Sequence, residues 1–200
     1  MPSPAFQSAD QAFENAKSLR LSAVSARTDD RNAAARQVYY HASLALSVAA
    51  WDAYLNNIVR NFYSVVVIAG DQKFLAMKAL AEDFSGFKLN KFNTANFENS
   101  RELIVKCTGY DPYGDWGWKR RRLTVLQVSQ LLNQILKVRH SFAHGFPVPT
   151  YPWTQSPSGK VRLTNSGVKD SEDLLRHLVS ATDSGIASHI QHTYSIVVQW

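Results

Sequence analysis

The strongest constraint on the fold is a long stretch, residues 31–69, whose apolar side chains follow the helical repeat and run nearly all the way round the helix. These positions are Val38, Leu44, Leu46, Val48, Trp51, Leu55, Ile58 and Phe62. The preceding Thr28, Asp29 and Asp30 supply side chains that favour a helix N-cap. A helix with so wide an apolar surface needs cover on most sides, so we predict that most of it is buried.

Helical spacing also marks the rest of the chain, with turn signals between the segments. Further helices are predicted at about 6–27, from an Asp71 cap to about Phe84, at about 95–108 ending at Gly109, at about 117–143 and at about 171–198. Residues 85–94 are predicted to be a loop, and residues 146–169, rich in proline, a loop or short hairpin. We find no repeat and no domain boundary. The sequence therefore predicts one all-α domain over 1–200, a bundle of about five to six helices with its core at about 30–145.

Composition excludes several classes of protein. Apolar residues make up 45% of the chain and charged residues 19%, which favours a folded globule over disorder. Cys107 is the only cysteine, which excludes an intrachain disulfide and a cysteine-rich zinc site and fits a reducing cytosol. The N-terminal residues are polar and mixed in charge, unlike a secretory signal, and the apolar runs stopped by Asp52 and Gly70 are shorter than the roughly 20 residues needed to span a bilayer. We expect a cytoplasmic protein without a membrane association.

Charge is distributed unevenly. Residues 116–169 contain no Asp or Glu, whereas all 16 acidic residues lie elsewhere in the chain. The cations of this block are Lys119, Arg120, Arg121, Arg122, Lys137, Arg139, Lys160, Arg162 and Lys169. Such a block is typical of a surface that binds phosphates, although a solubilising face is the alternative. Residues 119–122 are placed by our helix prediction at a helix start, where the macrodipole disfavours cations. A role in binding would explain Lys119, Arg120, Arg121 and Arg122 there; the alternative is that they lie far enough into the helix to be solvated at little cost.

A second conflict with local rules is Asp52, which lies within the predicted buried helix. Because an unpaired buried carboxylate is very costly, Asp52 must either face solvent or have a cationic partner.

The candidate site is the end of the helix predicted at 117–143, where the sequence reads RHSFAHG. His140 and His144 are four residues apart and project from one face, whereas Arg139 lies about 140° round the helix from His144. Gly145 favours the left-handed turn that ends a helix, and Pro147 prevents the helix from resuming. His144 is therefore held on a rigid element at the edge of a loop.

Several functions are compatible with this pattern. Arg139, His140 and His144 could simply cap the carbonyl groups of the helix end, where positive charge is favoured. Two histidines four residues apart also match a common metal-ligand spacing, but residues 116–169 supply no Asp, Glu or Cys to complete a metal site. A serine hydrolase is disfavoured because no Gly-x-Ser-x-Gly elbow occurs. We therefore predict no metal site and no cofactor.

Metal-free RNA cleavage fits these residue types. The RNA supplies its own 2′-hydroxyl as nucleophile, so the protein must move two protons and stabilise negative charge on the phosphorus. Histidine suits the proton transfers because its ordinary pKa is near 6.5. Arginine suits the phosphoryl group because its planar fork can donate two hydrogen bonds.

The RHSFAHG segment resembles the R-x4–6-H motif of HEPN domains, with a polar residue after the arginine and a glycine after the histidine. The preceding VSQLLNQILKV and the earlier YYHASLALSVAAWDAYL resemble helices of that family, particularly the bacterial RiboL-PSP-HEPN group. The resemblance covers roughly residues 30–145.

This resemblance implies an α-helical homodimer in which the motif helices face each other and the paired motifs line one cleft. It implies a metal-independent endoribonuclease, serving as a toxin or phage-defence effector, with a possible antitoxin or defence-system partner. Arg139 and His144 would be catalytic, and His140 would assist them. We place Asp52 opposite Arg139 as a partner, and Lys137 with the basic block on the RNA. A catalytically inactive HEPN module that binds RNA or a partner is the alternative, and a metal-dependent hydrolase is a more distant one.

One residue departs from part of the family. Toxins neutralised by a partner nucleotidyltransferase carry a modified tyrosine two residues after the motif histidine, where this chain has Phe146. Because phenylalanine has no hydroxyl, that mode of control is not expected here.

Other residues have less specific interpretations. Six aromatic residues flank the basic block and are either core anchors or partners for unpaired bases: Tyr110, Tyr113, Trp116, Trp118, Tyr151 and Trp153. We expect His41, His177, His189 and His192 to be isolated surface histidines and Cys107 to be a small buried residue.

Overall fold

The fold is an all-α bundle, as predicted. The computed structural model describes residues 1–26, 33–68, 70–198 and 200. Its helices are α1 Pro4–Ser25, α2 Ala33–Val65, α3 Gln72–Lys91, α4 Phe97–Thr108, α5 Val125–Ala143 and α6 Asn165–Tyr194. Short 3-10 turns lie at Pro112–Gly114, Lys119–Arg121 and Pro152–Thr154, and two isolated bridges are the only β pairing in the described residues. The predicted cap at Thr28, Asp29 and Asp30 lies outside the described residues.

Helix α2 forms the centre of the bundle, in contact with each of the other five helices. Trp51, Leu55 and Ile58 are completely buried on it. The indole of Trp51 packs edge-on against that of Trp116, and its Nε1 donates to the backbone oxygen of Ala95 at 3.0 Å. Six of the eight apolar positions predicted on this helix are buried, Leu46 is half-buried, and Val38 is 59% exposed. The predicted burial therefore holds for the centre of α2 and is wrong at its N-terminal end, where Val38 faces outward.

Helices α1 and α6 are joined by ion pairs across their shared surface. Arg176 on α6 binds Glu172 on its own helix and both Asp10 and Glu14 on α1. Arg20, buried on α1, lies 3.5 Å from the same Glu172, so the buried carboxylate has a cation on each side. This arrangement satisfies a charge that would be very costly to bury alone.

Helix α3 is longer than predicted. Asp71 caps it as expected, accepting from the backbone N–H of Phe74 at 2.9 Å, but the helix continues through the predicted loop to Lys91. Ser85 and Leu89 are its buried residues, and the Ser85 hydroxyl bonds the Tyr63 hydroxyl of α2 at 2.8 Å. Tertiary contact therefore overrides the weak helix propensity of the Ser–Gly sequence.

Helix α5 begins eight residues later than predicted, which corrects the placement of the basic cluster. Thr124 and Gln127 form a capping box at its start. Residues 119–122 instead form a 3-10 turn closed by the Trp118–Leu123 bridge, with Arg122 in the left-handed region at φ 55°. These four cations therefore precede the N-cap of α5 and are not in its first turn, which corrects the predicted placement.

Helix α6 begins and ends before its predicted limits. Thr164 caps it by accepting from the N–H of Gly167, and Ser195 ends it. A Cβ on Gly167 would lie 2.5 Å from the Trp153 oxygen, so glycine is needed where α6 approaches the preceding connection. That connection has one bridge, Gln155–Val161, in place of a full hairpin. No helix in the described ranges is long and apolar enough to cross a membrane.

Two helical glycines give opposite predictions for stability. At Gly185 on α6 a Cβ would lie 1.8 Å from the Tyr110 hydroxyl, whereas at Gly86 on α3 nothing lies within 4 Å. Gly185→Ala should lower the free energy of unfolding by about 1–3 kcal/mol through overpacking. Gly86→Ala should raise it by about 0.5–1 kcal/mol through helix propensity. Urea unfolding measures both; equal effects of the two changes would contradict this packing.

Candidate active site at the end of α5

The end of α5 is locked by a left-handed glycine. Gly145 has φ 69°, and its N–H donates to the Phe142 oxygen at 3.2 Å. The N–H of Phe146 donates to the Ser141 oxygen at 2.8 Å. This pair of bonds is the Schellman arrangement, which confirms the predicted role of Gly145. His144 is the C-cap residue, so its side chain projects from a fixed piece of backbone.

The two motif histidines lie side by side. The ring centroids of His140 and His144 are 4.2 Å apart, with 43° between the ring planes. Both side chains are exposed, and the Phe146 ring lies 6.1 Å from that of His144 and 6.5 Å from that of His140. The predicted shared face of the histidine pair is therefore present, with an aromatic ring beside it.

Arg139 is exposed. Burial raises the pKa of the half-buried Asp52 carboxyl, and the charge of Arg139 partly offsets that rise. Asp52 Oδ1 is buried without a hydrogen-bond partner, and no ion pair within 4.0 Å joins these two side chains. The structure thus places Asp52 within the electrostatic reach of Arg139, but not in direct contact with it.

Two residues that the sequence did not indicate fix α5 against α2. His41 stacks on Phe142, with ring centroids 4.1 Å apart and 6° between the planes. His41 is buried, and burial lowers the pKa of its imidazole. The prediction that His41 lies on the surface was wrong, because its contact with Phe142 joins residues far apart in the sequence and cannot be predicted from local spacing. The stack holds the motif turn in place.

The basic cluster lies at the opposite end of α5 from the motif. The 14-residue rise from Val125 to Arg139 corresponds to about 20 Å. Arg121 is paired with Asp170 and Asp173 of α6, so acidic residues from outside the block neutralise part of it. Lys119, Arg120 and Arg122 are exposed and form no ion pair with any residue in the described ranges. Lys137, in contrast, lies beside His140 on the wall of one groove.

The flanking aromatic residues divide between core and surface. Trp116 is completely buried and Tyr110 nearly so, which places both in the core. Tyr113 is exposed beneath Arg101, and Tyr151 stacks near Trp153. None of these six aromatic residues lines the groove beside His140.

Of the other residues predicted to be isolated surface histidines, His177 and His189 are partly buried and in contact with other residues, and the prediction was wrong for both. His177 stacks on Trp118 with ring centroids 4.9 Å apart, and its Nε2 is buried. His189 is half-buried, with Nε2 3.1 Å from the Thr108 oxygen. His192 is exposed, as expected. Cys107 is buried, also as expected, and burial raises the pKa of its thiol.

The described part of the chain contains no group of three or more His, Cys, Asp or Glu side chains placed to hold a metal ion. The donor set of the site is therefore one guanidinium and two imidazoles, with a carboxylate behind them. These groups can transfer protons and neutralise a phosphate.

The fold and the motif define a class: an all-α bundle that carries an Arg-x4-His motif at the exposed end of a late helix. The profile of the family described as RiboL-PSP-HEPN matches residues 12–188, and the chain belongs to that family. The match extends beyond the predicted 30–145 to include most of α1 and α6. Comparisons with curated proteins and with solved structures gave no match.

The raised pKa of Asp52 predicts how stability depends on pH. Because the folded-state pKa lies above the unfolded value of about 3.9, the unfolded chain binds fewer protons in this interval. The free energy of unfolding therefore loses a contribution as pH rises from about 3.9 through the folded pKa. Asp52→Asn removes this penalty, so its stability relative to wild type should rise over that interval and then stay level.

Urea unfolding of both proteins from pH 3 to pH 8 measures this difference. Asp83→Asn, a change at an exposed aspartate on α3, is the control and should show little difference at any pH. A stability difference for Asp52→Asn that falls with pH would contradict the prediction, because it would mean that the attraction of Arg139 outweighs the cost of burial.

Proposed function

We propose that this protein is a metal-independent endoribonuclease that cleaves RNA by transesterification. HEPN domains are known for ribonuclease activity, typically bind RNA and often dimerise. The observation that supports the proposal best is the exposure of Arg139, His140 and His144 together on the rigid last turn of α5. A purely structural role would leave one arginine and two histidines exposed at a helix end with no carboxylate in direct contact.

The reaction needs two proton transfers. The 2′-oxygen of the RNA attacks the adjacent phosphorus while its proton passes to one imidazole. The bond from phosphorus to the 5′-oxygen breaks, and a second imidazole donates a proton to that oxygen. The products are a 2′,3′-cyclic phosphate and a 5′-hydroxyl. Arg139 binds the phosphoryl oxygens, where negative charge develops, and His144 is the principal proton carrier, assisted by His140.

A homodimer completes the site. Within one chain Arg139 and His144 are separated by about 140° around α5, too far apart to converge on a single phosphate. Two copies with their α5 ends face to face would place two sets of these residues in one cleft. Exposed apolar residues beside the His41–Phe142 stack support a covered face here: Val38, one turn before His41 on α2, is 59% exposed, and Phe142 is 44% exposed.

The RNA path can extend along α5 to the unpaired cations Lys119, Arg120 and Arg122. These residues also favour the second candidate function, an RNA- or partner-binding module without catalysis. A role as a cytoplasmic toxin or phage-defence effector remains part of the proposal. Phe146 lacks the hydroxyl that nucleotidyltransferase antitoxins modify, so any antitoxin partner would have to act by another means.

The function is tested by incubating purified protein with cellular RNA in excess EDTA and mapping the product ends. Wild type should give cyclic-phosphate ends, and His144→Ala should reduce the rate by at least about 100-fold, the range of general acid–base catalysis. His192→Ala changes another exposed histidine on α6 and is the control. Cleavage that His144→Ala leaves intact, or that EDTA abolishes, would refute the proposed site. Salt-sensitive binding of RNA without any cleavage would support the binding module.

The dimer is tested at Val38, which is exposed on α2 one turn before His41, the residue that stacks on Phe142. Val38→Glu would bury an unpaired carboxylate between two copies, which is costly. We expect light scattering to show a monomer and cleavage to fall roughly tenfold or more, equal to about 1.4 kcal/mol. Met77→Glu, at a similarly exposed residue of α3, should change neither. A wild-type monomer that cleaves RNA at the assay concentration would contradict this arrangement.

A further inference from the structure

A groove of about 610 Å³ opens directly beside the motif. Its walls come from the connection before α4, from α5 and from the turn after α5. They include Thr94, Asn96, Leu136, Lys137, His140 and Phe146. The groove therefore shares His140 with the candidate active site, although the sequence motif does not extend to α4.

We propose that this groove binds one unpaired RNA base next to the cleaved phosphate, and that Asn96 selects bases with a carbonyl oxygen at position 4 of a pyrimidine or position 6 of a purine. These are uracil, through O4, and guanine, through O6; cytosine and adenine carry an amino group at those positions. The inference rests on the proposed function for its choice of RNA as ligand, and it adds a determinant of which nucleotide is bound.

Continuity with the motif supports a nucleotide as occupant. The His140 ring lines the groove and lies 4.2 Å from the ring of His144. A base seated in the groove would thus place its ribose and phosphate at the two histidines. Lys137 on the same wall has no ion-pair partner in the described part of the chain and can neutralise a phosphate.

The walls suit the face of a base. Phe146 is 60% exposed and offers its ring for stacking, while Leu136 and Pro149 extend the apolar surface. Stacking on an aromatic side chain favours any base over solvent, so it supplies affinity without sequence preference. Selection must then come from a polar group in a fixed orientation.

Asn96 is such a group, because its amide is oriented by a helix cap. Its Oδ1 accepts from the backbone N–H of Asn99 at 2.8 Å, as the N-cap of α4. The opposite atom of the amide must therefore be the NH2 group, which has no hydrogen-bond partner among the described residues. A fixed donor with no acceptor discriminates in favour of a base carbonyl and against a base amino group.

Asn133, the other amide in the groove, is already occupied. Its Oδ1 accepts from the Phe97 N–H at 3.2 Å, and its Nδ2 lies 3.4 Å from Glu98 Oε2. It therefore holds the start of α4 against α5, and the choice of base falls to Asn96.

The test measures binding without turnover. Fluorescence anisotropy with 2′-O-methyl oligonucleotides, which lack the nucleophile, compares hexamers of uridine and cytidine on the full chain. We expect wild type to bind the uridine hexamer about fivefold more tightly, the effect of roughly one hydrogen bond. Asn96→Asp keeps the cap acceptor but removes the donor, so the preference should reverse toward cytidine. Asn96→Ser keeps a cap and should bind the two equally.

Three further variants make the result specific. Asn93→Asp adds the same charge outside the groove, at an exposed residue three positions earlier, and should retain the uridine preference. Phe146→Ala should weaken binding of both hexamers about tenfold without changing their ratio. Phe87→Ala, at an exposed phenylalanine of α3, should leave both affinities unchanged.

Equal binding of the two hexamers by wild type, or a uridine preference that survives Asn96→Asp, overturns the inference. Because the binding assay involves no cleavage, its result is independent of whether the protein is a nuclease. An Asn96-dependent preference in a protein that never cleaves RNA would support the groove and reject the nuclease. Cleavage at all nucleotides with no preference in binding would support the nuclease and reject base selection by the groove.

Discussion

The packing of the other helices around α2 determines the rest of the structure. Trp51 is completely buried at its centre, against Trp116 and under the Ala95 oxygen that its Nε1 contacts. Trp116 in turn packs on Phe97 at the start of α4, with ring centroids 4.9 Å apart. Because one buried helix contacts all the others, the end of α5 has a fixed position relative to α2, and the site depends on that position.

The surface of α2 that meets α5 is less apolar than the rest of the helix. His41 and Asp52 both have a buried atom without a hydrogen-bond partner, and burial disfavours the charged form of each. Such groups reduce stability, and a helix that served only as a core would be expected to replace them with apolar residues. His41 stacks on Phe142, and Asp52 lies within the electrostatic reach of Arg139. Local rules are therefore broken beside the motif, a pattern that functional sites commonly show.

The sequence was sufficient to predict the helices and the motif because both depend on local spacing. The Asp71 cap, the Gly109 and Gly145 terminators and the burial of α2 all follow from residues close together in the chain. The errors arose where tertiary contact decides. Tyr63 of α2 bonds Ser85 and so stabilises the extension of α3. The Trp118–Leu123 bridge holds the basic cluster in a turn before α5, and His41 of α2 stacks on Phe142 of α5. The spacing of residues along one helix does not predict which residues of another helix they contact.

The motif can be predicted from the sequence, whereas the groove beside it cannot, because the groove joins residues from separate helices. The left-handed Gly145 reverses the chain so that the Phe146 N–H returns to the Ser141 oxygen, which brings the Phe146 ring beside His140. One turn thus sets both the histidine pair and one wall of the groove. Asn96, whose amide is oriented by the first turn of α4, also lines this groove. Catalysis and base selection would therefore depend on two helix ends, with the burial of α2 holding them at a constant separation.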